Sequence, residues 1–456
     1  MDKFIIKGGN KLTGNISVTG AKNAALKALV AACMTDEKVK IHNVPLISDF
    51  FVMVDIMKDL GANVSLKGHT VTIQMKKISH FSIPLDKAVL ARTSSMFIAP
   101  LLARAHEAII PNPGGCRLGA RPIDRTIDGI KKMDVDITYH SEDGYFHAKI
   151  ASTSNVAGAN ATGAKRLKGV NYTFEKNTHT GTETMILAAV LAKGTTVLEN
   201  AAEEPEIDDI ISLLNLMGAK INRSGKRQIT IMGVEKLHGA EFTISPDRIE
   251  VATFAIAAVI TGGDIFIKDA NKTAIGAFLD KLRETGAGIE IKDNGIRFYA
   301  NGKLNSVNIE TGIHPGFLTD WQALWGVLMT QADGESIIHE TVFESKLGYI
   351  KDLKRMGARA KLFNPEVKNP EKTYNFNLED DGPGNFHAVK ITGPKKLHNA
   401  VMTTLDIRAG AAVVLAALCA KGTSVIFGIE KLDRGYEKFE KRLYDLGANI
   451  KRVTEE

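Results

Sequence analysis

The sequence predicts an α/β protein of two domains, each built from three related βαβαβ units. One pattern recurs along the chain: an Ala-rich helix, a strand, a second amphipathic helix that stops at Gly-Ala, and a final strand. The first helix of each copy is apolar on most faces, which is typical of helices that lie inside a domain with sheets outside. At 456 residues the chain is also longer than one hydrophobic core usually supports.

The second helix of each copy is expected to end at its glycine, because a left-handed residue after the last helical turn is easiest for Gly. Two neighbouring stops, Gly286 and Gly357, lie 71 residues apart. A sixth, degenerate copy runs from Arg92 to Met133 and has Asp134 where the others have Gly. The five complete copies stop at Gly61, Gly218, Gly286, Gly357 and Gly447.

Apolar periodicity and turn residues locate the elements of each copy. The first 20 residues precede the first copy, so they are expected to pair with the second half of the chain. In the first copy we predict strands at 4–6 and 14–18, a helix from Lys22, a strand at 39–44, a helix at 49–60 and a strand at 63–66. In later copies we predict Ala-rich helices and following strands at 182–191 and 195–199, 250–260 and 264–267, 320–329 and 336–338, and 406–418 and 423–427.

The repeat places the domain boundary between the third and fourth copies, near 243–247. The first domain then comprises residues 22–244, and the second comprises 1–21 plus 245–456. Two segments, 151–168 and 363–398, break the repeat and are rich in polar and turn residues. We expect both to be surface insertions.

Composition narrows the class of protein. With 44% hydrophobic and 24% charged residues, the chain is typical of a soluble globular protein. The net charge of +6 suits anionic small ligands and gives no sign of nucleic-acid binding. No apolar run reaches the roughly 20 residues that cross a membrane. No charged-then-apolar leader opens the sequence, so a cytoplasmic location is expected.

The three cysteines differ in their surroundings. Cys33 and Cys419 lie in apolar helical runs and are expected to be small buried hydrophobes. Cys116 lies instead between Gly115 and Arg117, in a segment with two prolines and three glycines, which predicts a loop with a reactive thiol. Neither the cysteine spacing nor any familiar motif indicates a disulfide framework, a metal or a dinucleotide cofactor.

Cations recur at helix starts and in loops, which suggests capture of an anionic ligand. Each alone is more simply a solvated surface charge. These cations are Lys22, Arg92, Arg121, Lys346, Arg408 and Arg434.

Asp320 follows a Pro-Gly turn and precedes an apolar helix. The pattern favours a helix N-cap, and a carboxylate that takes a proton from a hydroxyl is the functional alternative. Asp406 and Asp433 lie close in sequence to Arg408 and Arg434, and each could form a local ion pair with that arginine.

Six segments, taken in order, closely resemble the enolpyruvyl transferase family, and within it the UDP-N-acetylglucosamine 1-carboxyvinyltransferases. The resemblance implies an inside-out α/β barrel of six βαβαββ units, three per domain, with the active site in the cleft between the domains. It also implies transfer of enolpyruvate from phosphoenolpyruvate to the 3′-hydroxyl of UDP-N-acetylglucosamine, the first committed step of peptidoglycan synthesis. The segments are Lys22-Asn23, 113–124 (PGGCRLGARPID), 314–320 (HPGFLTD), 340–344 (ETVFE), Asp406-x-Arg408 and 433–437 (DRGYE).

The resemblance also implies residue roles, with no cofactor, metal, nucleic acid or membrane involved. Asp320 would deprotonate the sugar hydroxyl, and Cys116 would be a lid thiol that donates a proton or assists product release. Domain closure on the sugar nucleotide would bring the lid down. Lys22, Arg121 and Arg434 would hold phosphoenolpyruvate; Asn23, Arg92, Pro122, Asp124 and Val342 would contact the UDP-sugar; Asp406 and Arg408 would shape the closed site.

The sequence departs from the family pattern at two sites. Lys346 stands where the family has Arg, which replaces a forked guanidinium by a point charge at a phosphate contact. The nucleotide segment with Lys176, Thr180 and Gly181 is one residue longer than usual. Two alternatives therefore stay open: a 5-enolpyruvylshikimate-3-phosphate synthase, and a non-catalytic UDP-sugar-binding relative. No oligomeric state is predicted.

Overall fold

The computed structural model describes residues 2–112, 123–151, 165–404 and 406–454. These residues form two compact units. The 20–245 unit contains residues 20–112, 123–151 and 165–245, and the 246–454 unit also includes residues 2–19. Among the helices that the structure describes, none combines the length and the apolar character needed to cross a membrane.

The strands and helices follow the predicted alternation. The strands are β1 Asp2–Lys7, β2 Thr13–Ser17, β3 Lys38–His42, β4 Asn63–Lys67, β5 Thr70–Gln74, β6 Glu107–Pro111, β7 Val135–His140, β8 Tyr145–Ile150, β9 Asn171–Thr173, β10 Thr195–Glu199, β11 Lys220–Gly225, β12 Gln228–Met232, β13 Glu241–Thr243, β14 Asp264–Lys268, β15 Gly288–Lys292, β16 Gly295–Tyr299, β17 Ile309–Glu310, β18 Gly334–His339, β19 Arg359–Phe363, β20 Ala388–Gly393, β21 Val401–Thr403, β22 Thr423–Phe427 and β23 Asn449–Thr454. The α-helices are α1 Lys22–Ala32, α2 Ser48–Asp59, α3 Leu85–Ala88, α4 Ile98–Ala105, α5 Asp124–Lys132, α6 His179–Ala189, α7 Pro205–Leu216, α8 Arg248–Ile260, α9 Gly276–Glu284, α10 Gln322–Gln331, α11 Ile350–Arg355, α12 Pro370–Thr373, α13 Ile407–Cys419 and α14 Phe439–Asp445.

Each unit carries three sheets, one for each repeat copy, as predicted. The 20–245 unit has sheets with the strand orders β13-β3-β5-β4, β6-β8-β7 and β11-β12-β10-β9. The 246–454 unit has β15-β16-β14-β2, β17-β18-β20-β19 and β21-β22-β1-β23. The degenerate copy has the three-stranded sheet, and a single parallel bridge between Ser82 and Ile109 stands where the other sheets have a fourth strand.

The N-terminal strand completes the last sheet of the 246–454 unit. β1 lies between β22 and β23 and is antiparallel to both. β2 runs parallel to β14, with Ile16 opposite Ile267. The first 20 residues therefore pair with strands of the second half, as the sequence analysis expected.

The Ala-rich helices form the core of each unit. Every residue of α8 is buried, and in α1 all but Asn23 are buried. The strands alternate instead, with Val39 and Ile41 of β3 buried beside more exposed neighbours. This arrangement of helices inside and sheets outside confirms the prediction from the apolar faces.

The glycine stops have the predicted backbone conformation. Gly61, Gly218, Gly286, Gly357 and Gly447 all have φ between 83° and 105°. In the degenerate copy Asp134 takes the same position with φ of 68°, which Asp tolerates better than most residues.

The expectation of a surface insertion at 363–398 is wrong for the end of that segment. It contains β20, which pairs with both β18 and β19 inside a sheet. Tyr374, Phe376 and His387 are also buried in it. The polar turns around β20 hid a six-residue strand from the sequence analysis. Most of the other segment, 151–168, lies outside the described residues.

Candidate active site

Most of the predicted site residues lie where the buried helices begin. Lys22 is the first residue of α1, and Arg408 is the second residue of α13. Asp320 belongs to a 3-10 turn, Thr319–Trp321, that leads directly into α10. The N–H groups of a first helical turn give that end a partial positive charge. These positions therefore suit the binding of phosphate or carboxylate groups.

Asp320 is held between two cations of the 246–454 unit. Its Oδ1 accepts a hydrogen bond from Arg408 Nε at 2.9 Å and lies 3.7 Å from Lys346 Nζ. Burial alone would raise the pKa of this carboxyl, but the Lys346 and Arg408 charges outweigh burial and hold the pKa well below its usual range. Asp320 is therefore an ionised carboxylate at neutral pH.

The N-cap interpretation of Asp320 is wrong. The N-cap position of α10 is Trp321, and no side chain there accepts a capping hydrogen bond. The Asp320 carboxylate instead bonds to Arg408 on α13, which packs against α10.

Asp406 orients Arg408 through the backbone. Its Oδ1 caps α13 by accepting hydrogen bonds from the N–H groups of Arg408 at 2.8 Å and Ala409 at 3.0 Å. The ion-pair interpretation of Asp406 is therefore wrong, because the Arg408 guanidinium bonds to Asp320. The carboxylate of Asp433 accepts from Arg452 on β23 at 2.8 Å.

Lys346 is buried, so the solvated-charge interpretation is wrong for it. Its side chain is 3% exposed, and Nζ lies 4.7 Å from the centre of the Phe343 ring. Within the part of the chain that the structure describes, Nζ makes no hydrogen bond. A buried ammonium with unused N–H groups is destabilising, and a bound anion would satisfy it.

Glu340 supports the turn that carries Val342. This fully buried carboxyl accepts hydrogen bonds from Thr319 Oγ1 at 2.8 Å, Val342 N at 2.8 Å and Phe343 N at 3.1 Å. Burial raises its pKa. The bond to Thr319 ties this turn to the residue before Asp320, so the two parts of the site are held in register.

The sequence analysis missed Arg248. This buried residue begins α8, and its Nη1 lies 3.3 Å from Nδ1 of His314. Its guanidinium is 6.0 Å from the Trp321 ring, and its charge contributes to the low pKa of Asp320. An arginine at the start of an otherwise apolar buried helix was the available signal.

Arg434 lies in a turn beside the start of α13. It is half-buried, and the next residue, Gly435, faces Ile407 so closely that a Cβ on it would lie 2.7 Å from Ile407 Cγ2. This contact explains why glycine follows Arg434. It also places the turn next to the helix that carries Arg408.

In the 20–245 unit Lys22 pairs with Asp49. The Lys22 Nζ lies 2.8 Å from Asp49 Oδ2, and both side chains are over 90% buried. A cation at a helix N-terminus is disfavoured by the helix dipole, whereas Asp49 in the first turn of α2 is favoured. Asn23 and Arg92 are half-buried, and the 3-10 turn Arg92–Phe97 packs against α1.

A second buried charge cluster, also missed from the sequence, lies between α1 and α6. The fully buried Glu183 has Lys27 Nζ 3.2 Å from one oxygen and His179 Nε2 3.2 Å from the other. Burial opposes protonation of His179, but the Glu183 charge outweighs it and raises the His179 pKa. Charged residues inside the apolar helical runs AALKALVAA and TETMILAA were the available signal.

The unusual nucleotide segment forms the start of α6. Thr178 caps the helix by accepting from Gly181 N at 3.2 Å. A Cβ at Gly181 would lie 2.4 Å from Thr178 Cγ2, so this cap requires glycine. Lys176 and Thr180 are half-buried in the same segment, and Asp124 is exposed in the first turn of α5. The predicted site residues Cys116, Arg121 and Pro122 lie outside the described residues.

Comparison with known proteins identifies relatives along the whole chain. A protein from Acidobacterium capsulatum named UDP-N-acetylglucosamine 1-carboxyvinyltransferase is 40% identical over 459 residues, covering 99% of this chain and 96% of the relative. One of the same name from Bartonella henselae is 40% identical over 467 residues, covering all of both chains.

Solved structures show the same fold. The enolpyruvyl transferase NikO from Streptomyces tendae superposes with a TM-score of 0.83 at 22% identity, covering 100% of this chain and 99% of that one. EPSP synthase from Acinetobacter baumannii superposes with a TM-score of 0.72 at 18% identity over the full length of both. The model of the EPSP synthase (3-phosphoshikimate 1-carboxyvinyltransferase) family matches residues 6–443. The chain therefore belongs to this family of enolpyruvyl transferases.

Proposed function

We propose that the chain transfers enolpyruvate from phosphoenolpyruvate to the 3′-hydroxyl of UDP-N-acetylglucosamine and releases phosphate. The full-length relatives at 40% identity carry the name of this activity, which favours it over the shikimate reaction. The proposal includes a cytoplasmic location, a role in peptidoglycan synthesis and sensitivity to fosfomycin, all of which the sequence resemblance or composition suggested.

One observation supports the chemistry most directly: an ionised Asp320 lies between Arg408 and Lys346 where buried helices begin. Phosphoenolpyruvate carries a phosphate and a carboxylate, and both groups require cations. Asp320 is the counter-ion of those cations while no substrate is bound. A bound substrate would take over Lys346 and Arg408, and their hold on Asp320 would weaken.

This exchange provides a reason for Asp320 to act as a base in the complex. A carboxylate paired to two cations is a poor proton acceptor, and its pKa rises when those cations bind another anion. Asp320 would then take the proton of the 3′-hydroxyl as the oxygen bonds to C2 of phosphoenolpyruvate. The thiol of Cys116 would protonate C3. Loss of a proton from the resulting methyl group, with departure of phosphate, restores the double bond.

The remaining roles follow the sequence resemblance. Lys22, Arg121 and Arg434 would stabilise the charge of the phosphate and carboxylate. Asn23, Arg92, Pro122, Asp124 and Val342 would contact the UDP-sugar, with weaker support for Lys176, Thr180 and Gly181. Lys346 would act as a phosphate contact in place of the family's arginine.

Phosphate release tests this proposal. Purified protein with phosphoenolpyruvate should release phosphate when UDP-N-acetylglucosamine is added, and the UDP-sugar should gain the mass of an enolpyruvyl group. Turnover with shikimate 3-phosphate would support the sister activity instead. Tight binding of the UDP-sugar without phosphate release would support a non-catalytic relative.

A further inference from the structure

The β7–β8 hairpin brings two histidines onto one face of its sheet. The strands are antiparallel, with His140 opposite Tyr145 and Thr138 opposite His147. Because side chains alternate between faces, His140 and His147 are diagonal neighbours on the same face. Their imidazole rings stack with centroids 4.2 Å apart at an interplanar angle of 23°.

Asp143, in the turn of the same hairpin, adds a carboxylate. Its Oδ2 lies 3.1 Å from Nε2 of His147, and its Oδ1 accepts a hydrogen bond from the N–H of Tyr145 at 2.9 Å. That backbone hydrogen bond lowers the pKa of Asp143, so the carboxyl is ionised. One ligand atom from each of His140, Asp143 and His147 lies within 4.8 Å of the other two.

Two imidazole nitrogens and one carboxylate oxygen form a donor set that suits Zn²⁺ and the neighbouring divalent transition metals. Ligand bonds of 2.0–2.1 Å in tetrahedral geometry place donor atoms about 3.3 Å apart. The 3.1 Å separation of Asp143 and His147 is close to this distance, and the stacked His140 ring needs only a small side-chain rotation. Three protein ligands leave a fourth position for water.

We propose that His140, Asp143 and His147 form a binding site for a divalent transition-metal ion of the zinc type. None of the three belongs to the residues assigned to enolpyruvyl transfer, so the proposal does not depend on that function. The side chains of Asp143 and His147 are 45% and 34% exposed, so an ion can reach the site from solvent. An ion would join the turn to both strands, and it would stabilise the hairpin because it binds the folded state only.

Titration of the full-length protein with Zn²⁺ by isothermal calorimetry tests this site. The wild type should bind one equivalent with a micromolar dissociation constant. His140→Gln, Asp143→Asn and His147→Gln should each weaken binding roughly tenfold to a hundredfold, the range seen when metal-site partners are removed. His80→Gln, which changes an exposed histidine outside the cluster, is the matched control and should bind as the wild type does.

Thiols also bind zinc, so the same titration is repeated on Cys116→Ser. Retained binding there and its loss in His147→Gln support the hairpin site. Co²⁺ spectra should show nitrogen and oxygen ligands without a thiolate band. Circular dichroism confirms that the hairpin variants fold, and Asp143→Asn provides a second test if one histidine variant does not. The proposal is overturned by a wild type that shows no saturable binding, or by equal affinity in wild type and His147→Gln.

Discussion

Replacing Asp320 by Asn separates its two proposed roles, as base and as counter-ion. The substitution keeps the shape of the side chain and an oxygen that can accept from Arg408 Nε, at 2.9 Å in the wild type. It removes the negative charge beside Lys346 and Arg408. The substitution should therefore abolish proton transfer while leaving both cations free to bind phosphoenolpyruvate.

The expected sizes of the two effects differ in sign. A general base contributes roughly 10²- to 10⁴-fold, so kcat should fall by that factor. A hydrogen bond to a charged group is worth about 1.5–3 kcal/mol, and phosphoenolpyruvate no longer has to displace that contact. Its affinity should therefore stay equal or rise, by at most about a hundredfold. Phosphoenolpyruvate should also raise the melting temperature of Asp320→Asn more than that of the wild type.

Single-turnover phosphate release measures the first effect, and calorimetric titration with phosphoenolpyruvate measures the second. Asp264→Asn is the matched control, because Asp264 also accepts from an arginine Nε, that of Arg297 at 2.8 Å, on a sheet of the same unit. The control should leave both quantities unchanged. A kcat close to wild type in Asp320→Asn, or weaker binding of phosphoenolpyruvate, would refute the counter-ion argument.

Three further predictions concern other charged and reactive groups. Lys346→Met should raise the KM for phosphoenolpyruvate at least tenfold in steady-state assays, because a charged hydrogen bond worth about 1.5–3 kcal/mol is lost, and Lys346→Arg should restore it; equal KM values for all three proteins would contradict this role. Fosfomycin should alkylate Cys116, faster with the UDP-sugar bound, and leave Cys33 and Cys419 unmodified, because burial raises the pKa of both those thiols to about 12; mass spectrometry that locates the adduct on either would overturn this. The raised pKa of His179 stabilises the fold most below its unfolded value near 6.5, and this contribution is lost as pH rises through the folded value, so His179→Gln should flatten the fall in unfolding free energy above pH 6.5 in urea titrations; an unchanged slope would contradict it.

The repeat could be predicted from sequence because its signals are local. A glycine that must adopt positive φ is written at one position, and Asp134 shows that even the degenerate copy keeps the backbone requirement. The pairing of β1 with β22 and β23 followed from counting elements, since the last copy lacked a strand that only the N-terminus supplied. Strand β20 was missed because the polar residues that flank its six residues outweigh its own apolar signal.

The partners of the site residues could not be predicted in the same way. Asp320 has the local pattern of a helix cap, and the residue that decides its role, Arg408, lies 88 positions away. Lys22 likewise gave no sign of Asp49, which the chain brings close only after α1 and α2 pack together. Residue types at helix starts therefore indicated anion binding, and the tertiary structure was needed to show which carboxylates occupy those cations.

The helix ends explain why such carboxylates are present at all. Lys22, Arg248 and Arg408 each lie in the first turn of a buried helix, where the helix dipole disfavours a cation. Such an arrangement is stable without a ligand only if carboxylates neutralise it, and Asp49 and Asp320 are in contact with Lys22 and Arg408. An anionic substrate that binds these cations replaces those carboxylates as their counter-ion. The same exchange that admits the substrate thus frees Asp320 to accept a proton, so binding and base activation are one electrostatic step.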